Sequence, residues 1–135
     1  MTSSIVLVAS EAFGGKLDAM RTAQIIGRGL HVGNTELEAD LCPIDELPKD
    51  LDVRMHRAHA VLIAAACLNH ETLLRRDAAF EVATRARQTG VPCYAIAGSD
   101  ELDLFETRIL DLQVVLEASG ERGLAAAGKK LAGLL

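Results

Sequence analysis

Tryptophan is absent from this chain of 135 residues, and only three phenylalanines and one tyrosine occur. So few rings exclude a large stacking platform for bases. Cysteine is scarce: Cys42, Cys67 and Cys93. An odd number at spacings that match no metal motif excludes a disulfide framework and a zinc site. Positive charge is also short, with 14 Lys and Arg against 19 Asp and Glu and a net charge of −5. The cations are dispersed and leave no footprint for a phosphate backbone, so no nucleic-acid partner is expected. No apolar run reaches the roughly 18 residues of a membrane span, so no membrane partner is expected either. Met1 to Ser4 places no basic region before an apolar stretch. A secretion signal is therefore not expected, and the cytoplasm is the default compartment.

Half of the residues are hydrophobic, enough for the core of one domain spanning residues 1–135. Ile5 to Ala9 is apolar throughout, as in a strand covered on both faces. After Gly14-Gly15, the residues Ala19, Ala23, Ile26 and Leu30 recur at helical spacing. Glu36 to Cys42 reads as a weaker strand nearer an edge, and residues 44–58 as a loop with a short helix. Ala60 to Ala64 is a third strand. One long helix is expected after it, opened by Asn69 as N-cap and striped by Leu74, Ala78, Val82 and Ala86. Gly90 and Pro92 end that helix. Cys93 to Ala97, a turn at Gly98-Ser99-Asp100, a short helix, a strand over Leu112 to Leu116 and a last helix complete the pattern. Alternating strands and helices imply a single-domain α/β sandwich of three layers. Its five-stranded parallel sheet would be flavodoxin-like (Rossmann-like), in the order 2-1-3-4-5. Ligands in such sheets lie beyond the carboxyl ends of the strands, where the order reverses between strands one and three.

The candidate site residues follow from that placement. Gly14-Gly15-Lys16 precedes a helix whose backbone N–H groups could hold an anion; a plain tight turn explains the glycines as well. Glu11, just past strand one, could bind a cation or act as a base, or be a solvated loop carboxylate. Two-component receivers carry acids there too, but they need another acid after strand three, where this chain has alanine. Cys67 and His70 lie three apart near a helix start, which could favour a thiolate for nucleophilic chemistry; alternatively Cys67 packs as a small apolar residue and His70 faces water. Ser99-Asp100 could bind a polar ligand or cap the short helix. Cys42 and Cys93 fall on strands and belong to the core. His31, His56 and His59 have no ligand spacing, and no metal site is expected.

The run Val6-Leu7-Val8-Ala9-Ser10-Glu11-Ala12-Phe13-Gly14-Gly15-Lys16-Leu17-Asp18-Ala19 resembles the opening of bacterial glycerate kinases, with their motif of the form DSFKGSLSA. Ile26-Gly27-Arg28-Gly29-Leu30 is similar to that family's AIARGL. Ala58 to Asn69 aligns without gaps on its ADLVITGEGRLD, and Thr72-Leu73 follow like its QTL. Arg85 to Pro92 and Ala95 to Ser99 resemble its RARRAGVPV and ALAGS segments. Family members are nearly three times longer, and this chain looks like their first, Rossmann-like lobe with the second, inserted lobe missing. Ala64-Ala65-Ala66-Cys67-Leu68-Asn69 stands where the family has its charged GEGRLD.

The resemblance implies a truncated, glycerate-kinase-like homologue with a degenerate active site. It would be a non-catalytic small-molecule-binding or regulatory paralogue, taking a small organic acid or nucleotide through Glu11, Gly14, Gly15, Lys16, Asn69 and Ser99. The alternative it carries is an enzyme, glycerate kinase, using ATP and Mg²⁺; Cys67-dependent hydrolysis is a lesser one, with Glu11, Cys67 and His70 as candidate catalytic groups. No cofactor is expected unless that family activity is retained. Deletion of a lobe would expose an apolar patch around Phe13, Ala65, Ala66 and Leu68, which implies a homodimer.

Overall fold

A computed structural model describes residues 4–135. The elements in chain order are β1 (Ser4–Ser10), α1 (Ala19–Gly33), β2 (Leu37–Pro43), α2 (Leu51–Arg57), β3 (Ala60–Leu68), α3 (His70–Arg75), α4 (Ala78–Thr89), β4 (Cys93–Asp100), α5 (Leu104–Ile109), β5 (Leu112–Glu117) and α6 (Gly120–Ala132). All sheet pairings are parallel, and the order is β2-β1-β3-β4-β5, the flavodoxin-like arrangement expected from the sequence.

The apolar runs of β1 and β3 are explained by layers on both faces. Val6, Val8, Leu62, Ala64 and Ile96 face a core shared with Ala23, Ile26 and Leu30 of α1 and Leu124 and Leu131 of α6. Their alternate neighbours Leu7, Ala9, Val61, Ile63, Ala95 and Ala97 face the opposite core, filled by Leu51 and Met55 of α2 and Val82, Ala83 and Ala86 of α4. The central residues of β1 and β3 therefore have a helix over them on either face. Among the described residues, no helix is long and apolar enough to cross a membrane.

Two expectations change. The single long helix after β3 is two helices. Arg76 adopts the left-handed conformation (φ 48°), and the Asp77 side chain then accepts from the Phe80 N–H to start α4. A second N-cap inside the apolar stripe outcompetes helix continuation and leaves Leu74 exposed rather than buried. Strands β3 and β4 also run further than their apolar cores suggest. Cys67 pairs with Ser99 and Leu68 with Asp100, whereas β1 pairs with β3 only as far as Ala64. Gly98 permits this seam, because a Cβ there would meet the Ala66 carbonyl oxygen at 2.6 Å.

Candidate functional site

The carboxyl end of the sheet is built from the segment after β1, the overhanging ends of β3 and β4, and the starts of α3, α4 and α5. Ser10 is fully buried, and Glu11 continues the strand direction by donating its N–H to the Ala64 carbonyl at 2.8 Å. That bond holds Glu11 at the point where the strand order reverses. Burial, and secondarily the negative charge of Asp77, push its carboxyl up to about 7. The group thus changes protonation near neutral pH, a property that spacing alone did not reveal.

The loop beyond it closes on itself. Phe13 donates to the Leu17 carbonyl at 2.9 Å and Leu17 to the Gly14 carbonyl at 3.1 Å, with Gly14 (φ 84°) and Gly15 (φ 61°) in the left-handed region. The glycines are required by that turn. Lys16 is exposed at its tip. The start of α1 is already served by the chain: Asp18 Oδ1 accepts from the Arg21 N–H at 2.7 Å. A bound anion would have to share this helix end with a carboxylate, which weakens the site that Gly14, Gly15 and Lys16 suggested.

Cys67, Asn69 and Ser99 are brought together, with Glu101 as their hub. The Cys67 thiol donates to Glu101 Oε2 at 3.2 Å, and the Ser99 hydroxyl donates to the same oxygen at 3.3 Å. The Asn69 amide donates to Cys67 Sγ at 3.4 Å, while its oxygen caps α3 through the Glu71 N–H. The Glu101 carboxylate, accepting the thiol proton, raises the Cys67 pKa. His70 turns elsewhere. Its Nδ1 lies 2.8 Å from Glu106 Oε2, linking α3 to α5. Glu106 is held below its ordinary range by the Asp103 backbone N–H and then by His70. Cys67 therefore faces an anion where a stabilised thiolate needs a cation. Asp103, not Ser99 or Asp100, caps α5.

A rate test follows. Glu101→Gln is expected to lower the Cys67 pKa and speed its alkylation by a maleimide at mildly alkaline pH, with Cys42 and Cys93 buried and silent. Equal rates in the two proteins would remove Glu101 as the partner of this thiol.

Sequence reading missed Asp77, Glu101 and Glu106. Each is an acid on a segment read as ordinary helix or turn, and its partner lies 34 to 36 residues away in the hydrogen-bonded cases. The patch expected around Phe13, Ala65, Ala66 and Leu68 is not an open surface. Ala65 and Leu68 are buried within the chain, Phe13 is half-buried, and Ala66 alone is exposed.

No protein-family model matches the sequence, and neither does any curated protein. Solved structures do match. A diflavin flavoprotein A3 from Nostoc sp. superposes with a TM-score of 0.59 at 14% identity, over 99% of this chain and 94% of that one. The flavodiiron protein from Giardia intestinalis superposes with a TM-score of 0.55 at 12% identity, over 98% of this chain and 36% of that one.

These matches overturn the resemblance to glycerate kinases and the functions drawn from it, both the non-catalytic paralogue and the kinase. The segment aligned on the family's GEGRLD is, in its greater part, a strand. Ala64, Ala65, Cys67 and Leu68 are hydrogen-bond ladder positions against β4, not a loop free to wrap a phosphate. Strand–turn–helix patterns rich in Ala, Val and Gly recur wherever a parallel sheet is covered by helices, and the resemblance rested on that shared pattern. What the structural comparisons establish is the fold, a flavodoxin-like α/β domain.

Proposed function

We propose that this chain is a flavodoxin-like domain that binds a flavin, led by the isoalloxazine ring, at the switch point between β1 and β3. The observation that carries this reading is the superposition of nearly the whole chain on a diflavin flavoprotein. The shared sheet order is one in which flavin mononucleotide lies at that switch point.

The residues present fit the two ends of such a ligand unequally. Phe13, Ala66, Leu102 and Phe105 give apolar surface on segments that open at this end of the sheet, and Phe105 is 72% exposed. Below about pH 7 the protonated Glu11 carboxyl is a donor for a ring carbonyl or nitrogen. The phosphate end finds less. Lys16 is the cation of its loop, Asp18 occupies the start of α1, and Glu11, Asp77, Asp100 and Glu101 are acids of the same end. Riboflavin is therefore expected to bind at least as tightly as flavin mononucleotide.

Titrating each flavin with protein and following flavin fluorescence tests this. Saturable quenching by micromolar protein, with riboflavin not the weaker ligand, is the expected result. No quenching of either flavin at the highest protein concentration sinks the reading. A preference for the phosphorylated flavin beyond about tenfold, or 1.4 kcal/mol, would instead require a phosphate site and refute ring-led binding.

A further inference from the structure

We propose that the groove between α1 and β2 is the interface of a two-fold dimer, filled by α1 of a second copy of this chain. The proposal does not depend on the flavin reading, since the groove lies on the flank of the sheet rather than at its carboxyl end. It also moves the dimer contact away from the loops where the sequence suggested it.

The groove has a volume of about 770 Å³ and follows from how α1 is placed. α1 is drawn against α6 through a seam of small residues, in which Gly29 approaches the Ala125 carbonyl and Gly33 the Lys129 carbonyl. β2 is the edge of the sheet, so nothing further along the sheet covers its outer flank. Ala39 and Leu41 remain half-buried on the floor of the groove, beside the buried Leu37. Gly27 adds no side chain above them. Val32, 66% exposed on the last turn of α1, stands on the wall of the same groove.

The charges around this floor are complementary to themselves. Arg28 and His31 line the α1 side. Glu38, which alternates with Leu37 and Ala39 and so leaves β2 on the α2 face beside Arg54 and Arg57, borders the groove at the open edge of the sheet. Among the described residues none of the three has an ion-pair partner, although seven other ion pairs are formed in the chain. A two-fold axis places the same patch on both sides, so every contact occurs twice. Arg28 of one copy then meets Glu38 of the other, and reciprocally, while each Val32 enters the apolar floor opposite. The chain's own C-terminal leucines are not the occupant: Leu134 and Leu135 line a separate cavity with Tyr94.

Sedimentation equilibrium on the full chain at micromolar to high-micromolar concentration reads the outcome. The expected mass is twice the 14.4 kDa of one chain. Val32→Asp, a change at an exposed position, should give a monomer with unaltered circular dichroism. Arg28→Glu and Glu38→Arg should each raise the dissociation constant by about tenfold or more, and the double exchange should restore it. A single-chain mass for the parent protein refutes the proposal. So does a dimer that survives Val32→Asp, or a double exchange that fails to recover association. A monomer that binds a fluorescent fatty acid, with the binding abolished by Val32→Asp, would refute the dimer and assign the groove to a small apolar acid instead.

Discussion

Gly29→Val is expected to unfold the domain or to leave it soluble only with several kcal/mol of its stability gone. A Cβ at Gly29 would run into the Ala125 carbonyl oxygen and come within 3.1 Å of the Lys129 nitrogen. The neighbouring seam positions are as tight. At Gly128 a Cβ would be 2.6 Å from the Ile26 carbonyl oxygen, and at Gly33 2.6 Å from that of Lys129. The obstructing atoms are backbone, so no rotamer change relieves them, and α1 and α6 must separate. Their separation would open the core formed by Ile26, Leu30, Leu124 and Leu131. Overpacking of about 1–3 kcal/mol per site is usual where side chains can shift. Helix backbones cannot shift so cheaply, and a domain has only about 5–15 kcal/mol in total. Two controls give the sign away from the seam. Gly123→Ala meets nothing closer than Ala118 at 3.8 Å, so it should gain up to about 1 kcal/mol from helix propensity. Gly133→Ala, with its nearest contact at 3.5 Å, should stay within about 0.5 kcal/mol of the parent. Urea midpoints of the three variants check the ranking; a Gly29→Val protein as stable as Gly133→Ala would mean that the helices do not cross this closely.

The same glycines show where sequence reading stops. Periodicity alone placed α1, because Ala19, Ala23, Ile26 and Leu30 must all face one core and are all buried. The uninterrupted apolar runs of β1 and β3 placed the two central strands for the same reason, since a strand with helices on both faces has no polar side to show. Gly27, Gly29 and Gly33 carried no such signal. Their role is close approach to α6 or to β2, and a residue that acts by lacking a side chain leaves no periodic trace. Those of them within the helix's Ile-Gly-Arg-Gly-Leu run were instead part of the match to a kinase family. Asp77 was legible as a charge but not as a boundary, because the stripe Leu74, Ala78, Val82, Ala86 continues through it at perfect helical spacing. The cap is decided by the left-handed turn at Arg76, which brings the Asp77 carboxylate back onto the Phe80 N–H. The candidate site was legible in position and not in chemistry. Glu11 could be placed at the switch point from topology, whereas its proton affinity depends on burial and on Asp77, 66 positions away in the sequence.

That proton affinity gives the second large effect, a stability that falls as pH rises through the weakly acidic range. The Glu11 carboxyl titrates at 4.5 when exposed and at about 7 in the fold. Between those values the folded chain holds a proton that the unfolded chain has released, so unfolding loses protons and stability drops with rising pH. Below 4.5 both states are protonated and Glu11 contributes no slope; above about 7 both are ionised and the loss is complete. The full shift corresponds to about 3 kcal/mol. Because part of the carboxyl is open to water, screening reduces the expected effect to about 1 kcal/mol. Glu11→Gln keeps the size of the side chain and cannot ionise. It should match the parent at about pH 4, exceed it by about 1 kcal/mol at about pH 8, and flatten the profile between them. Asp77→Asn separates the causes. Asparagine caps a helix about as well as aspartate, so α4 keeps its start, while the charge that raises Glu11 disappears. Its profile should retain most of the slope, because burial is the larger cause and Asp77 the smaller. Thermal or urea unfolding of the three proteins across this pH range decides it. A parent and a Glu11→Gln variant with parallel profiles would show that Glu11 is solvated at the switch point, and would remove the neutral donor on which ring-led flavin binding relies.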